Sequence, residues 1–172
     1  MQHPGLAPLT TPMDRLLSAN QFRKQNQMTE HSLWRFSRAL HRAVNERQFD
    51  DIEALIDEDV DWTLHGPVEM FPFFGARHGK AAVLQVIRQI ADRVRVHRFD
   101  REQTMLGTDQ AASMLRYSLT VLDTNKPVRV RLAHFAQFRD GRLVSMRILV
   151  DSYELVEQAI FPPHARMVAV SA

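Results

Sequence analysis

The chain has 172 residues, of which 45% are hydrophobic and 24% charged, values that predict one globular domain with a buried core. It contains no cysteine, which excludes disulfides, thiolate nucleophiles and cysteine-based zinc sites. The formal net charge is only +2 in spite of a pI of about 9.4, so we expect no nucleic-acid partner, which would require clustered positive charge.

The sequence has no feature of membrane insertion or export. No stretch approaches the roughly 18 consecutive apolar residues of a membrane span. The first residues, MQHPGLAPLTTPMDR, lack the basic start and apolar core of a signal peptide. We therefore expect a cytoplasmic protein with no membrane partner.

The N-terminal segment, residues 1–28, carries three prolines within its first twelve residues and has no hydrophobic period there. We interpret it as an arm in which residues 13–27 form a short helix. Thr29 is then predicted to be the N-cap of a helix that runs to about Gln48. The apolar stripe of that helix has helical spacing and consists of Leu33, Phe36, Leu40 and Val44.

A short helix, a strand and a longer helix follow. Asp50, with a glutamate three residues later, has the capping-box pattern that starts the short helix. Residues 60–65 alternate between apolar and polar side chains, which predicts a strand, and a Gly-Pro dipeptide ends it. Residues 79–94 have the clearest helical pattern in the chain, with an apolar face made of Ala82, Val83, Val86, Ile87, Ile90, Ala91 and Val94.

The remainder is predicted to be a run of strands over residues 96–106, 111–122, 127–139 and 142–150. Turn residues separate them, including the dipeptide Asp140-Gly141. A last short helix begins at Asp151. Helices followed by a strand meander predict an α+β fold, in which helices pack on one face of a curved antiparallel sheet.

These patterns divide the chain into an arm of residues 1–28, a domain of residues 29–160 and a tail of residues 161–172. Strand 142–150 is apolar on both faces, with Met146 and Ile148 on one side and Leu143 and Leu149 on the other. One face can form the core, and the other requires a partner. We therefore predict a homodimer through the sheet.

Three segments carry a resemblance to a known family: DVDWTLHGP, FPFFGARHGKAAV and HFAQFRDGRLVSMRILVD. In them the chain resembles the nuclear transport factor two-like superfamily, and within it the SnoaL-like and ketosteroid-isomerase-like proteins, over residues 30–160. The resemblance implies a cone-shaped fold, with a curved sheet wrapped round N-terminal helices and a pocket between them. That family holds isomerases, cyclases, dehydratases, epoxide hydrolases and non-catalytic modules, so function depends on individual residues.

His65 stands where the resemblance places a catalytic base. In ketosteroid isomerases an aspartate precedes a proline ahead of the helix, and here the neighbourhood reads His65-Gly66-Pro67. Histidine is a competent general base, because its unperturbed pKa is about 6.5. The alternative is a histidine that is hydrogen-bonded at the end of a strand.

His134 is in phase with the apolar residues of strand 127–139, so it is either a core histidine with satisfied hydrogen bonds or a pocket residue. Scytalone-dehydratase-like members of the superfamily use two pocket histidines with an aspartate and tyrosines. By that resemblance the chain supplies His65, His134, Tyr117 and either Asp61 or Asp151.

Asp151 and Arg147 lie at the end of the last strand. Many relatives place an aspartate at the position of Asp151, yet Asp151 with Glu154 is also a cap for the final helix. Arg147 either orients an acid, binds a substrate carboxylate or enolate through its fork of donors, or pairs with Asp151.

Candidate substrate contacts surround the Gly-Pro turn. Asp61 shares the strand face of His65 and either orients its imidazole or is solvated. Trp62, on the opposite face, is either core or a platform for a substrate. Phe71, Phe73 and Phe74 are costly to expose, so they cover either a pocket mouth or a partner.

Several other chemistries lack their motifs. No helix has the H-x-x-x-H or HExxH spacing of a metal site, and neither GxGxxG nor a Walker motif is present. The Asp-Arg-Asp set of limonene epoxide hydrolases is not visible, because Arg131 is followed two residues later by Ala133. A basic run interleaves with acidic residues and is interpreted as a solvated edge: Arg93, Arg95, Arg98 and Arg101.

The leading hypothesis is a cofactor-free pocket protein for an apolar carbonyl or polyketide-like molecule. The reaction would be proton abstraction next to a carbonyl, giving isomerisation, cyclisation or dehydration. His65 would be the base, His134 and Tyr117 the donors, and Arg147 or Asp151 the orienting group. One alternative is a non-catalytic ligand-binding or dimerisation module. Another is a protein-interaction domain, which predicts a filled cavity and an exposed loop at residues 71–74.

Overall fold

The computed structural model describes residues 12–69 and 71–160. The helices in this part of the chain are α1 (Pro12–Glu46), α2 (Asp50–Ala54), α3 (Lys80–Arg93) and α4 (Ser152–Ile160). The strands are β1 (Ile56–His65), β2 (Gly75–His78), β3 (Val94–Leu106), β4 (Gln110–Val121), β5 (Lys126–Arg139) and β6 (Arg142–Val150). None of the described helices is long and apolar enough to cross a membrane.

The strands form one curved sheet in the order β2-β1-β6-β5-β4-β3. Neighbouring strands are antiparallel except for β1 and β6, which run parallel. A parallel pair is possible here because β1 and β6 are far apart in the chain and are not joined by a hairpin. The predicted α+β fold, a cone-shaped sheet wrapped round N-terminal helices, is confirmed, but the sheet is mixed and not purely antiparallel as predicted.

Bulges and a tight turn help to shape the sheet. β3 gains one residue relative to β4 between Val96 and Arg98, and another between Arg101 and Gln103. Such bulges bend a strand and increase its twist. The β5–β6 turn consists of Asp140-Gly141, with φ angles of 52° and 76°, as the Asp-Gly dipeptide predicted.

The first helix is longer than the sequence predicted. α1 is continuous over 35 residues, so the predicted helix start at Thr29 is wrong. The Thr29 hydroxyl donates a hydrogen bond to the carbonyl oxygen of Thr108 at 2.7 Å, which ties α1 to the β3–β4 turn. Residues 1–11 and 161–172 lie outside the described part of the chain, so the division into arm, domain and tail stays a prediction.

The hydrophobic core lies between the concave face of the sheet and the two long helices. α3 buries four members of its predicted apolar face: Val83, Val86, Ile87 and Ala91. Leu33 and Phe36 of α1 meet Val60 and Trp62 of β1 in the same core. Each large side chain that is fully buried contributes roughly 1.5–3 kcal/mol, which fixes both helices on the sheet.

β2 is a strand that the sequence pattern did not predict. It pairs antiparallel with β1, with Asp61 opposite His78 and Leu64 opposite Gly75. Four residues without an apolar alternation carry too weak a pattern to identify a strand. The loop that leads into β2 buries Phe71, Phe73 and Phe74 in the core, so this loop is not the exposed docking patch of the protein-interaction hypothesis.

The face of the sheet that points away from α1 exposes four large apolar side chains: Met105, Met114, Phe135 and Leu149. We call these four residues the outer apolar face. Leu149 is exposed there as the alternation predicted. Leu143 is fully buried instead, because the β5–β6 register shifts between Gln137 and Phe138.

Candidate functional site

The helices and the concave face of the sheet enclose an apolar cavity of about 170 Å³. Phenylalanines from α1 and from the loop before β2 form part of its wall, together with aliphatic residues of β4, β5 and β6. The lining side chains that carry a nitrogen or oxygen atom are Ser37, His41, Trp62, Tyr117 and His134. A mainly apolar cavity with a few polar groups has the character of a small-molecule site.

His134 is the main titratable group of the cavity wall. It lies on β5 between Ser113 of β4 and Ile148 of β6, and its side chain is 7% exposed. Its Nε2 atom has no hydrogen-bond partner within the described ranges. Burial, and then the positive charge of Arg101, lower the pKa of His134 to about 4. The imidazole is therefore neutral at pH 7, and one of its nitrogens is free for a ligand.

Tyr117 is the second polar group that the sequence predicted for the site. It lies on β4, and its ring stacks on Phe99 of β3 with the centroids 5.7 Å apart. Burial raises the pKa of Tyr117 to about 12, although the charge of Arg101 acts in the opposite direction. The phenol therefore keeps its proton at ordinary pH and can donate a hydrogen bond into the cavity.

Arg101 is a neighbour of these two groups that the sequence analysis assigned to a solvated edge, and that assignment is wrong. Arg98 does lie at a solvated edge, since its side chain is exposed and pairs with Asp100. The bulge after Val96 moves Arg101 onto the inner side of β3, where it is partly buried. The signal available in the sequence was its spacing of two from Phe99, an apolar residue on the same strand.

The aromatic residues predicted as substrate contacts do line the cavity. Trp62 is almost completely buried, and its Nε1 atom has no hydrogen-bond partner among the described residues. Phe71, Phe73 and Phe74 contact one another, with ring centroids 5.1–5.9 Å apart. Gly66 makes their arrangement possible, because a Cβ atom at this position would lie 2.2 Å from the ring of Phe74.

α1 adds two polar groups that the sequence analysis missed. Ser37 and His41 lie one helical turn apart and both line the cavity. His41 Nε2 is 3.1 Å from Nδ2 of Asn45, and its ring centroid is 5.9 Å from that of Phe99. Both residues lie on the helix that carries the apolar stripe of the core, and no sequence pattern distinguishes them as site residues.

His65 and Arg147 do not reach the cavity. Both line a separate open groove on the outer side of the sheet, next to Phe135 and Leu149. The reason is the alternation of β1, which turns Trp62 and Leu64 inward and therefore turns His65 outward. The predicted convergence of His65 with His134 and Tyr117 is thus not present in the structure.

The two candidate aspartates also lie outside the cavity wall. The carboxylate of Asp151 accepts a hydrogen bond from the backbone N–H of Glu154 at 3.1 Å, so it caps α4. Asp61 is exposed, and its Oδ1 lies 2.9 Å from Nδ1 of His78 on β2, not beside His65. Within residues 12–69 and 71–160, no group of three or more His, Asp or Glu residues is arranged to hold a metal ion.

Comparisons with known proteins agree with this architecture. The SnoaL-like domain model matches residues 37–146. The solved structure of a proposed isomerase from Rhodopseudomonas palustris is 62% identical, with a TM-score of 0.74, and the match covers 76% of this chain and 97% of that chain. No curated protein matches the chain.

Two more distant structures share the fold. A nuclear transport factor two-like protein from Burkholderia xenovorans is 17% identical with a TM-score of 0.63, over 77% of this chain and 96% of that one. TerC, co-crystallized with polyporic acid, is 15% identical with a TM-score of 0.62, over 76% of this chain and 97% of that one. With the family model covering most of its length, this chain belongs to the SnoaL-like domain family of the nuclear transport factor two-like superfamily.

Proposed function

We propose that the chain binds an apolar small molecule with a carbonyl group and moves a proton at the carbon beside that carbonyl. His134 is the base, and Tyr117 is the donor to the carbonyl oxygen. The observation that carries the proposal is a neutral imidazole with a free Nε2 and a protonated phenol in the wall of one apolar cavity. Isomerisation, cyclisation and dehydration all use such a step.

The proton transfer follows from the properties of these groups. Nε2 of His134 takes the proton from the carbon, and the electrons of the C–H bond move toward the carbonyl oxygen to give an enolate. The hydroxyl of Tyr117 donates to that oxygen, and Trp62, whose Nε1 is a donor only, can supply a second hydrogen bond. Return of the proton to a different atom completes an isomerisation. Donors in a dry cavity offset the weakness of a base whose pKa is low.

The similarity to the Rhodopseudomonas palustris protein supports the same reaction class, because that protein is itself a proposed isomerase at 62% identity. The alternative is a non-catalytic module that binds the ligand without proton transfer. The placement of His65, Arg147 and Asp151 outside the cavity favours this alternative, since fewer acid–base groups than predicted surround the ligand.

Exchange of hydrogen for deuterium tests the proton transfer without knowledge of the natural substrate. The methyl protons of the ketone 2-acetonaphthone are followed by NMR in deuterated buffer, and the wild type is expected to exchange them faster than buffer does. His134→Gln and Tyr117→Phe are each expected to lower the catalysed rate by about 100-fold. His65→Gln is the matched control and should leave the rate unchanged, because His65 lies on the other side of the sheet.

The outcomes separate the two functions. If the wild type binds the ketone but exchanges its protons no faster than buffer does, the enzyme hypothesis is rejected and the chain is a non-catalytic binding module. A loss of exchange in His65→Gln, with His134→Gln still active, would return the role of base to His65.

We propose a second copy of the chain as the protein partner. The outer apolar face, Met105, Met114, Phe135 and Leu149, is exposed on the side of the sheet that the helices do not cover. Contact between two such faces would remove these side chains from water, and a two-fold axis would let each copy present the same surface.

A further inference from the structure

Arg101 lies on the inner face of β3 as a neighbour of Tyr117 and His134, although it does not itself line the cavity. On the inner face of the sheet it pairs with Leu115, whereas Tyr117 lies two residues further along β4. Leu115 pairs in turn with Leu132, which lies two residues before His134 on β5. Tyr117 and His134 therefore lie on either side of the cross-strand row that Arg101 begins. The positive charge of Arg101 acts on the pKa of both groups, which agrees with this placement.

Arg101 forms no ion pair within the described part of the chain, although the negative charge of Glu30 on α1 acts on its pKa. Other arginines of the sheet do form ion pairs, including Arg98 with Asp100 and Arg116 with Glu102. The guanidinium of Arg101 instead lies over the ring of Trp34, with Cζ 3.9 Å from the ring centroid. Its Nε atom is buried and has no hydrogen-bond acceptor among the described residues.

A buried guanidinium nitrogen of this kind is costly, because it has lost water without gaining a hydrogen-bond acceptor. Burial lowers the pKa of Arg101, and the charge of Glu30 acts in the opposite direction. A ligand carboxylate would supply the missing acceptor, since guanidinium groups bind carboxylates through charge-assisted hydrogen bonds.

We propose that Arg101 makes this cavity selective for apolar molecules that carry a carboxylate, and that the acid group binds at the end of the cavity next to Tyr117. This inference rests on the proposed function, because it assumes that the cavity is the ligand site. It narrows the substrate class from apolar carbonyl compounds to apolar carbonyl compounds that also carry a carboxylate, and this carboxylate anchors the molecule.

The test compares two probes of similar shape, 2-naphthoate and the neutral ketone 2-acetonaphthone, by calorimetric titration of the full chain. The ratio of their dissociation constants is measured for the wild type, Arg101→Lys and Arg101→Met. We expect Arg101→Met to weaken 2-naphthoate by about 10-fold or more while 2-acetonaphthone changes little, because only the acid loses a charge-assisted hydrogen bond. Arg101→Lys keeps the charge and should fall in between.

Arg98→Met is the matched control, since it removes an exposed arginine of the same strand. A second measurement follows the His134 ring by NMR: removal of the Arg101 charge should raise the pKa of His134, whereas Arg98→Met should not move it. This shift distinguishes an electrostatic role from loss of packing against Trp34.

The binding results separate the role of Arg101 from the proposed function of the cavity. An unchanged ratio of dissociation constants in Arg101→Met, with the ketone still bound, overturns the role of Arg101 and leaves the proposed function intact. A wild type that binds neither probe overturns both.

Discussion

Asn45 of α1 and Val96 of β3 are joined by two hydrogen bonds. Asn45 Nδ2 donates to the carbonyl oxygen of Val96 at 2.7 Å, and the N–H of Val96 donates to Asn45 Oδ1 at 2.9 Å. The side-chain amide thus takes the place of a neighbouring strand at the open edge of the sheet, beside the first bulge of β3. An edge strand otherwise leaves such backbone groups unpaired.

This pair predicts a large effect for Asn45→Leu. Both backbone groups of Val96 would lose their partner in a partly buried position, so the free energy of unfolding should fall by about 2 kcal/mol. Urea denaturation measures the difference. Gln85→Leu, at an exposed position of α3, is the control and should change stability by less than about 0.5 kcal/mol. Equal effects of both substitutions would contradict the role given to Asn45.

His134 predicts a dependence of stability on pH. Its pKa is about 4 in the folded chain and about 6.5 when unfolded, so the unfolded state binds more protons between these values. Stability is therefore greatest above about pH 6.5 and is lost as the pH falls toward 4, with a loss of about 2 kcal/mol by about pH 4.5 from this one group.

The measurement is urea denaturation of the wild type and of His134→Gln at both ends of this pH range. The variant cannot titrate at this position, so its stability should depend on pH less steeply, by about the same 2 kcal/mol. Parallel pH profiles of the two proteins would show that His134 is not buried in its neutral form.

The sequence predicts most of this fold because its strongest patterns are local. The apolar face of α3 and the Asp140-Gly141 turn both appear where the spacing placed them. The predicted helix start at Thr29 is wrong because a threonine hydroxyl can either cap a helix or donate a hydrogen bond to a distant carbonyl. Only the tertiary contact with Thr108 decides between these two roles.

The site was harder to predict because it depends on which face of each strand turns inward. The alternation of β1 separated His65 from Trp62 correctly, and the base that the resemblance to ketosteroid isomerases indicates, His65, lies on the face away from the cavity. The apolar character of Val60, Trp62 and Leu64 marked the core face. Alternation from Val96 places Arg101 on the outer face, since the bulge after Val96 resets the phase of the strand without a clear sign in the sequence. Only the spacing of two from Phe99 indicates the inner face.

Gly66→Ala should disturb the phenylalanine wall of the cavity. A Cβ atom there would lie 2.2 Å from the ring of Phe74, which cannot move freely because it packs against Phe71 and Phe73. We expect a loss of about 1–3 kcal/mol in stability, together with weaker binding of 2-acetonaphthone.

Gly107→Ala is the matched control for this substitution. Its Cβ atom would meet nothing closer than 3.5 Å, and Gly107 does not line the apolar cavity. Stability by urea denaturation and binding by calorimetry should both stay near the wild type. If Gly66→Ala bound the ketone as well as Gly107→Ala does, the packing of the three phenylalanines would not shape the binding cavity.

The proposed homodimer predicts that charge on the outer apolar face separates the copies. In Phe135→Lys combined with Leu149→Lys, a two-fold contact would bring the new charges of both copies together and desolvate them, so the protein should sediment as a monomer. Tyr153→Lys changes another exposed apolar residue, on α4, and should leave the dimer intact. Neither lysine replaces a side chain that is buried within one copy, so any fall in melting temperature relative to the wild type should come only from the lost association. A wild type that sediments as a monomer at micromolar concentration would contradict the dimer, and the outer apolar face would then require a different partner.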